Sequence, residues 1–143
     1  MTTRVRDVMV RDLLTVGPDW ALADVARLMR DENIGAVPVA DDEELIGIIT
    51  DRDVVVRGLA DGATVASERR ARDVMSANLL YCFEDQTVEE ALQNMGERQV
   101  RRMPVVDHDK RLVGMVAFNA LSRTASSNFA GSAQRRMFRA GLH

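Results

Sequence analysis

An internal duplication constrains the fold more than any other feature of this sequence, because it requires two similar structural units. Residues of the first half recur 66 positions later, and one inserted residue then shifts the offset to 67. The matched pairs are Arg6-Asp7-Val8-Met9 with Arg72-Asp73-Val74-Met75, Leu13-Leu14 with Leu79-Leu80, Asp19 with Asp85, Met29 with Met95, Pro38-Val39 with Pro104-Val105, Asp41 with Asp107, Leu45 with Leu112 and Gly47 with Gly114.

Each copy has the residue pattern of strand, helix, strand, strand and helix. The first apolar run (LLTV, then LLYCF) predicts a short strand, and apolar residues at helical spacing predict the helix that follows. The helical positions are Leu22, Val25, Ala26, Leu28 and Met29 in the first copy, and Val88, Ala91, Leu92 and Met95 in the second. Asp19 and Thr87 are candidate caps for these two helices. The later strands are predicted at 36–40 and 45–50, and at 103–106 and 112–116.

A copy of about sixty residues is marginal for an independent core. We therefore predict an α+β fold in which two β-α-β-β-α repeats pack sheet against sheet with pseudo-twofold symmetry. The predicted boundaries are 1–62 for the first repeat, 63–71 for a linker and 72–124 for the second repeat. Residues 125–143 form a C-terminal tail, for which a short amphipathic helix that docks on a partner subunit and a disordered segment are both open.

The segment Gly47–Asp53, GIITDRD, has two interpretations. Thr50 followed by Asp53 is the spacing of a capping box, with Asp in place of the usual Glu. The same start of a helix offers free amides and a positive dipole end to an anion, while the Asp carboxylate can accept hydroxyls of a sugar. In the second copy the matching segment is GMVAFNA, where Ala117 and Ala120 can neither cap the helix nor bind a sugar. The pattern predicts one competent half-site and one degenerate half-site.

The motifs in both copies resemble the cystathionine-β-synthase-type (CBS) domain pair over residues 4–124. The resemblance rests on Asp-Val-Met, on the Val-Pro-Val and Met-Pro-Val strands, on the Leu-x-Gly turns and on Thr-x-x-Asp after GII. TDRDVVVRGLADG and QVRRMPVVD are similar to the small stand-alone CBS-pair proteins of hypoxia and stress. The resemblance implies a cleft between the halves that binds an adenine nucleotide, a disc-shaped homodimer, and a ribose held at the positions of Thr50 and Asp53.

Other ligand contacts are predicted around this pair. Arg101 and Arg102, just before a strand proline, are candidates for phosphate because the guanidinium is planar and bidentate; the alternative is a solvated surface. Arg52 is a weaker candidate that can instead pair with an acid. For the base we predict an apolar slot formed by Val16, Gly35, Ala36, Val37 and Pro38, with ordinary core packing as the alternative.

Several classes of protein and site are disfavoured. The net charge of −3 and an aromatic content of 4% argue against nucleic-acid binding. No apolar run reaches the ~18 residues that span a bilayer, and the single Cys82 fits a reducing compartment, so we expect a cytoplasmic protein. Cys82 is predicted to be buried, and His108 is predicted to lie in a solvated turn rather than at a metal. No catalytic motif is recognisable, so we expect neither an enzyme nor a required cofactor.

Two functions remain open. The first is a regulatory module in which an adenine nucleotide biases the conformation of the chain and thereby acts on an unknown partner protein. The second is a dimeric interaction scaffold with a vestigial nucleotide cleft. Thr50 and Asp53 favour the first function, whereas Ala117 and Ala120 favour the second.

Overall fold

The structure, a computed structural model, describes residues 2–60 and 68–125. Its elements in chain order are α1 (Val5–Val8), α2 (Leu22–Glu32), β1 (Ala36–Asp41), β2 (Glu44–Thr50), α3 (Asp51–Asp53), a π-helical segment π1 (Val54–Leu59), α4 (Ala71–Val74), β3 (Cys82–Phe83), α5 (Val88–Arg98), β4 (Arg102–Val106), β5 (Leu112–Ala117) and α6 (Phe118–Thr124). The predicted mixture of helices and strands is confirmed.

The described residues form two compact units that divide the chain differently from the sequence repeat. Unit 2 is Leu14–Leu79, and unit 1 combines the residues up to Leu13 with those from Leu80 onward. The repeat boundaries assign residues 1–13 to the first copy, whereas in the structure they pack with the second. Hydrogen bonds explain this grouping, since the N–H groups of Val5 and Arg6 donate to the carbonyl oxygens of Gln86 and Glu84, both at 2.9 Å.

The Asp-Val-Met and Leu-x-Gly motifs, which recur in both repeats, contact each other within each unit. In unit 2, a Cβ added at Gly47 would lie 2.5 Å from Met75 Sδ, and in unit 1 one added at Gly114 would lie 2.6 Å from Met9 Sδ. Each Asp-Val-Met segment thus covers the glycine of a Leu-x-Gly strand, and only glycine permits that approach. The motif at the start of one repeat is therefore part of the core of the unit that contains the other repeat.

Unit 2 is built around an antiparallel pair of strands, β1 and β2, with Val37 opposite Ile49 and Pro38 opposite Ile48. The prediction of a full strand at LLTV is wrong. Val16 alone pairs, as a parallel bridge to Val39, with hydrogen bonds from its own N–H to Pro38 and from Ala40 N–H to its carbonyl oxygen. Leu14 and Thr15, which precede Val16 in the chain, are exposed. Only Val16 therefore has a buried side chain that holds this segment on the sheet.

Unit 1 has the three-stranded order β3-β4-β5 in the part of the chain that the structure describes, with β3 parallel to β4. Cys82 in β3 is fully buried, as predicted, and burial raises the pKa of its thiol to about 12. Its Sγ lies 3.9 Å from the carbonyl oxygen of Pro104. Cys82 is therefore a core residue, and its thiol stays protonated at neutral pH.

The two long helices bury the predicted faces. Leu22, Val25 and Met29 of α2 are buried, as are Val88, Ala91, Leu92 and Met95 of α5. The cap at Thr87 is confirmed, since its Oγ1 accepts the N–H of Glu90 at 3.1 Å. The cap at Asp19 is wrong, because α2 begins after Ala21 and the Asp19 carboxylate instead binds the guanidinium of Arg72.

The predicted linker and tail lie mostly outside the described residues, which exclude 61–67 and 126–143. Arg70 and Ala71, assigned to the linker at 63–71, already belong to unit 2. Arg70 pairs with Ala21 in an isolated antiparallel β-bridge, and the buried Ala71 begins α4. Among the helices of the described residues, none is long and apolar enough to cross a membrane.

Candidate functional site

Thr50 and Asp53 form the predicted capping box at the end of β2 in unit 2. The N–H of Asp53 donates to Thr50 Oγ1 at 3.2 Å, and the N–H of Thr50 donates to Asp53 Oδ2 at 2.9 Å. Thr50 has the extended backbone of an N-cap residue, so the strand passes directly into the helix. The hydroxyl proton of Thr50 and the second carboxylate oxygen of Asp53 take no part in this cap, so both can bind a ligand.

The amides at the start of α3 are not free, contrary to the expectation from the sequence. Asp51 N–H donates to the carbonyl oxygen of Gly35 at 2.9 Å, and Arg52 N–H donates to the Asp51 carboxylate at 2.8 Å. Asp53 N–H is taken by Thr50 in the capping box. A phosphate would have to displace one of these acceptors, so the helix start is a better site for a sugar than for an anion.

Gly35 and Ala36, which were predicted to contact the base, lie next to this helix start. Ala36 is opposite Thr50 in the strand pair, and both Gly35 and Ala36 are exposed. A Cβ added at Gly35 would lie 3.3 Å from Asp51 Oδ2, so the absence of a side chain keeps this edge of the sheet open. The arrangement provides a small exposed surface beside Thr50, as a ligand site at the helix start requires.

The apolar slot for a base is not formed by the remaining predicted residues. Val16 and Val37 are 1% and 0% exposed, and Pro38 is also buried. Val16 and Val37 belong to the hydrophobic core of unit 2, together with residues of α2 and α4. Their side chains lie in the same cluster as the buried residues of α2. The alternative interpretation, ordinary core packing, therefore holds for Val16 and Val37.

Asp53 has a charged neighbour that sequence reasoning missed. Arg57 Nε lies 4.0 Å from Asp53 Oδ1, and the Asp53 side chain is only 17% exposed. The spacing of four residues along the helix was the available signal, since side chains at i and i+4 are neighbours. Arg52, which was predicted, is exposed and one residue away from Asp53 in the chain. The pair that surrounds Asp53 is therefore Thr50 and Arg57.

In unit 1 the same turn lacks these groups. Ala117 is the N-cap residue of α6 and provides no side-chain cap, and the N–H of Phe118 donates to the carbonyl oxygen of Arg101 at 2.8 Å, as that of Asp51 does to Gly35. Arg102 is opposite Ala117 in the strand pair. Arg101 and Arg102 are exposed and occupy in unit 1 the places that Gly35 and Ala36 hold in unit 2. Each arginine thus lies beside the apolar helix start of its own unit.

Two further surfaces carry polar side chains, one in each unit. An open groove of about 600 Å³ on unit 2 contains none of the predicted ligand-binding residues. It is lined by Asp19, Trp20, Ala21, Asp24, Arg27, Leu28, Asp31 and Arg70. In unit 1, His108 Nε2 contacts Asp85 Oδ2 at 2.7 Å, and the imidazole stacks on Phe83. Across the described ranges no three His, Cys, Asp or Glu side chains are grouped so that they could hold a metal ion.

The comparisons with known proteins identify the repeat. The family model for the CBS domain matches residues 5–58 and 71–124. The CBS domain-containing protein YhcV of Bacillus subtilis is 38% identical over 97% of this chain and 98% of its own length. Hypoxic response protein 1 of Mycobacterium tuberculosis is 38% identical over 85% of this chain and 84% of its own length.

Solved structures agree with this match. The crystal structure of Hypoxic Response Protein I with two coordinated zinc ions has a TM-score of 0.77 and 36% identity, over 86% of this chain and 99% of that one. CBSX2 in complex with AMP has a TM-score of 0.73 and 25% identity, over 85% of this chain and 95% of that one; the protein is from Arabidopsis thaliana.

Proposed function

This chain belongs to the CBS-domain family, and we propose that it is a regulatory module that binds an adenine nucleotide through unit 2. Thr50 and Asp53 hold the ribose, and the degenerate turn of unit 1 makes this the one competent half-site. The observation that carries the proposal is the capping box of Thr50 and Asp53, which leaves one carboxylate oxygen and one hydroxyl proton for a sugar. The similarity to CBSX2, whose structure contains AMP, supports the choice of nucleotide.

The proposed action on other proteins follows from what a small binding module can do. A nucleotide changes the conformation of such a module only if it binds one conformation more tightly than another. The ligand would then alter the surface offered to a partner protein, with no reaction catalysed by this chain. The sequence similarity to Hypoxic response protein 1, at 38% identity, supports a role of this kind in a stress response.

The alternative is a dimeric interaction scaffold with a vestigial cleft. One observation favours it: π1 exposes three aliphatic side chains, Val55, Val56 and Leu59, of which 47–56% is accessible. Exposed aliphatic side chains that cluster on one element are typical of contact surfaces. In this alternative Thr50 and Asp53 act as a helix cap alone.

Calorimetric titration with AMP, ADP and ATP tests both functions. We expect saturable binding near one nucleotide per chain, and loss of that binding in Asp53→Ala. A hundredfold excess of nucleotide over its dissociation constant should stabilise the wild type by about 2.7 kcal/mol in thermal unfolding.

Asp7→Ala is the matched control for this titration. Asp7 Oδ2 accepts the N–H of Arg4 at 2.9 Å, the same type of hydrogen bond that Asp53 makes to Thr50, at the start of α1 in unit 1. Its removal should lower stability and leave nucleotide binding intact. No heat and no thermal shift with any of the three nucleotides would overturn the sensing function and favour the scaffold.

A further inference from the structure

Arg57 connects the candidate ribose-binding residue to another helix of unit 2. Its Nη1 lies 3.4 Å from the carbonyl oxygen of Val74 and 3.5 Å from that of Met75, at the C-terminal end of α4. Carbonyl groups at a helix C-terminus carry a partial negative charge that favours a cation. The guanidinium is thereby held beside Asp53, while about half of the Arg57 side chain stays exposed.

The carboxylate of Asp53 is consequently fixed from two sides. Its Oδ2 accepts the N–H of Thr50, and its Oδ1 faces Arg57 Nε at 4.0 Å. At 4.0 Å the guanidinium attracts Oδ1 without the short contact of a direct hydrogen bond. Oδ1 is therefore oriented by the two neighbours of the carboxylate, yet it retains the capacity to accept hydroxyl protons.

Thr50, Asp53 and Arg57 form a polar cluster in unit 2, and each is replaced by a different residue type at the corresponding position of unit 1. The residues that correspond to Thr50, Asp53 and Arg57 at the offset of 67 are Ala117, Ala120 and Thr124. Thr124 is turned back on its own helix, since its Oγ1 donates to the carbonyl oxygen of Ala120 at 3.2 Å. Other polar contacts of the repeat are present in both units: Asp7 and Asp73 each cap a short helix, at 2.9 and 2.7 Å. The contact between Arg57 and Asp53 in unit 2 therefore has no counterpart at the corresponding residues of unit 1.

We infer that Arg57 is a positioning residue for ribose binding: it acts through Asp53, whose carboxylate it orients toward the sugar hydroxyls, and it does not itself bind phosphate. This inference rests on the proposed function of unit 2. It adds a residue that makes the site specific for a sugar that carries its 2′- and 3′-hydroxyls, through the charge and orientation of Asp53.

The test is the ratio of affinities for AMP and 2′,3′-dideoxy-AMP. Both ligands carry the same phosphate and base, so their ratio reports only the hydroxyl contacts. In the wild type, the loss of two hydroxyl hydrogen bonds to a carboxylate should weaken binding by about tenfold or more. Arg57→Met should lower this ratio by about fivefold, in the range expected for two directly interacting residues. Arg57→Lys should restore part of the ratio, because a lysine retains the charge but lacks the fork that reaches both Asp53 and α4.

Two further variants separate positioning from general destabilisation. On an Asp53→Asn background, Arg57→Met should change the ratio no further, since the residue through which Arg57 acts has lost its charge. Arg27→Met is the matched control. It removes another exposed arginine of unit 2, bonded to Asp24 at 2.7 Å, and should leave the ratio unchanged.

The outcomes are distinguishable. Equal weakening of both ligands by Arg57→Met, with an unchanged ratio, would show that Arg57 does not act through the contacts of Asp53 with the hydroxyls and would overturn the inference. An additive effect of Arg57→Met and Asp53→Asn on the ratio would also overturn it. If the wild type binds AMP with a ratio near one, Asp53 does not contact the hydroxyls and this role fails although nucleotide binding stands. If the wild type binds neither ligand, the proposed function fails and the role of Arg57 falls with it.

Discussion

The two units reach the same helix start with different side chains. In unit 2 the turn after β2 is held by Thr50 and Asp53, whereas in unit 1 the turn after β5 has Ala117 and Ala120. The helix begins at the corresponding residue in both, because a backbone hydrogen bond anchors it and because Phe118 and Leu121 of α6 are buried. The architecture therefore does not require the capping box, which strengthens the argument that Thr50 and Asp53 serve a ligand.

A second difference lies in the core and is compensated within each unit. A Cβ added at Gly58 in π1 would lie 2.4 Å from Leu22 Cδ2. In unit 1 the corresponding residues are Ala125 and Val88, which pack in one hydrophobic cluster. The smaller Gly58 of π1 is thus paired with the larger Leu22, whereas the larger Ala125 of unit 1 is paired with the smaller Val88 at the start of the long helix. The two pairs differ by one methyl group in each direction, so the summed side-chain volume is conserved.

The largest expected effect follows from this compensation. Gly58→Ala should destabilise the protein by about 1–3 kcal/mol, because the new methyl group collides with a fully buried leucine. Adding Leu22→Val should recover much of that loss, since it reproduces the pair of unit 1. Chemical denaturation of the two single variants and the double variant measures the coupling.

Additivity of Gly58→Ala and Leu22→Val would contradict the compensation. Leu22→Val alone should cost about 1 kcal/mol, because it leaves a small cavity. A double variant less stable than either single variant would show that the two units are packed by unrelated solutions at this position.

A smaller effect is expected when the cap is exchanged between the units. Thr50→Ala should cost about 1 kcal/mol in the absence of ligand, the usual contribution of a threonine cap. Ala117→Thr with Ala120→Asp should stabilise unit 1 by about 0.5 kcal/mol, because Ala117 already has the extended backbone of an N-cap residue. Thermal unfolding without nucleotide checks both changes, and a loss of stability in the Ala117→Thr, Ala120→Asp variant would contradict the equivalence of the two turns.

The sequence predicted the parts of the fold that depend on periodicity and on exact repetition. The helix faces, the hairpins and the capping box at Thr50 follow from local spacing, and the structure confirms them. The family resemblance is confirmed as well. The units were not predictable from the repeat, because residues 1–13 pack by contacts with residues about eighty positions away, for which local patterns carry no signal.

The site was predicted less completely than the fold. Val16 and Val37 were candidates because apolar residues at a strand end suit a base, yet the same residues suit a core, and burial decides for the core. Arg57 was overlooked because its role depends on the carbonyl groups of Val74 and Met75, which only the folded chain brings to it. The contacts of Thr50 with a ligand stay a prediction.

The smallest expected effect concerns ion pairs at the corresponding residues Asp19 and Asp85. Asp19 of unit 2 binds Arg72, whereas Asp85 of unit 1 binds His108. The hydrogen bond to Asp85, and the charges of Asp85, Asp107 and Glu84, raise the pKa of His108 above its ordinary value of 6.5. The hydrogen bond to His108 lowers the pKa of Asp85 below 3.8. The ion pair of Asp85 and His108 therefore stabilises the fold most between pH 3.8 and pH 6.5.

This pair should make stability depend on pH in a way that the pair of unit 2 does not. Because the folded-state pKa of His108 is raised, its contribution is complete below pH 6.5 and is lost as the pH rises through the folded value. His108→Gln should therefore reduce the decrease in the midpoint of thermal unfolding between pH 6 and pH 8. Arg72→Gln should lower the midpoint equally at both pH values, because a guanidinium stays charged throughout. Both pairs are exposed, so the differences should be small and should shrink further at high salt. An unchanged pH dependence in His108→Gln would show that the contact with Asp85 does not persist in solution.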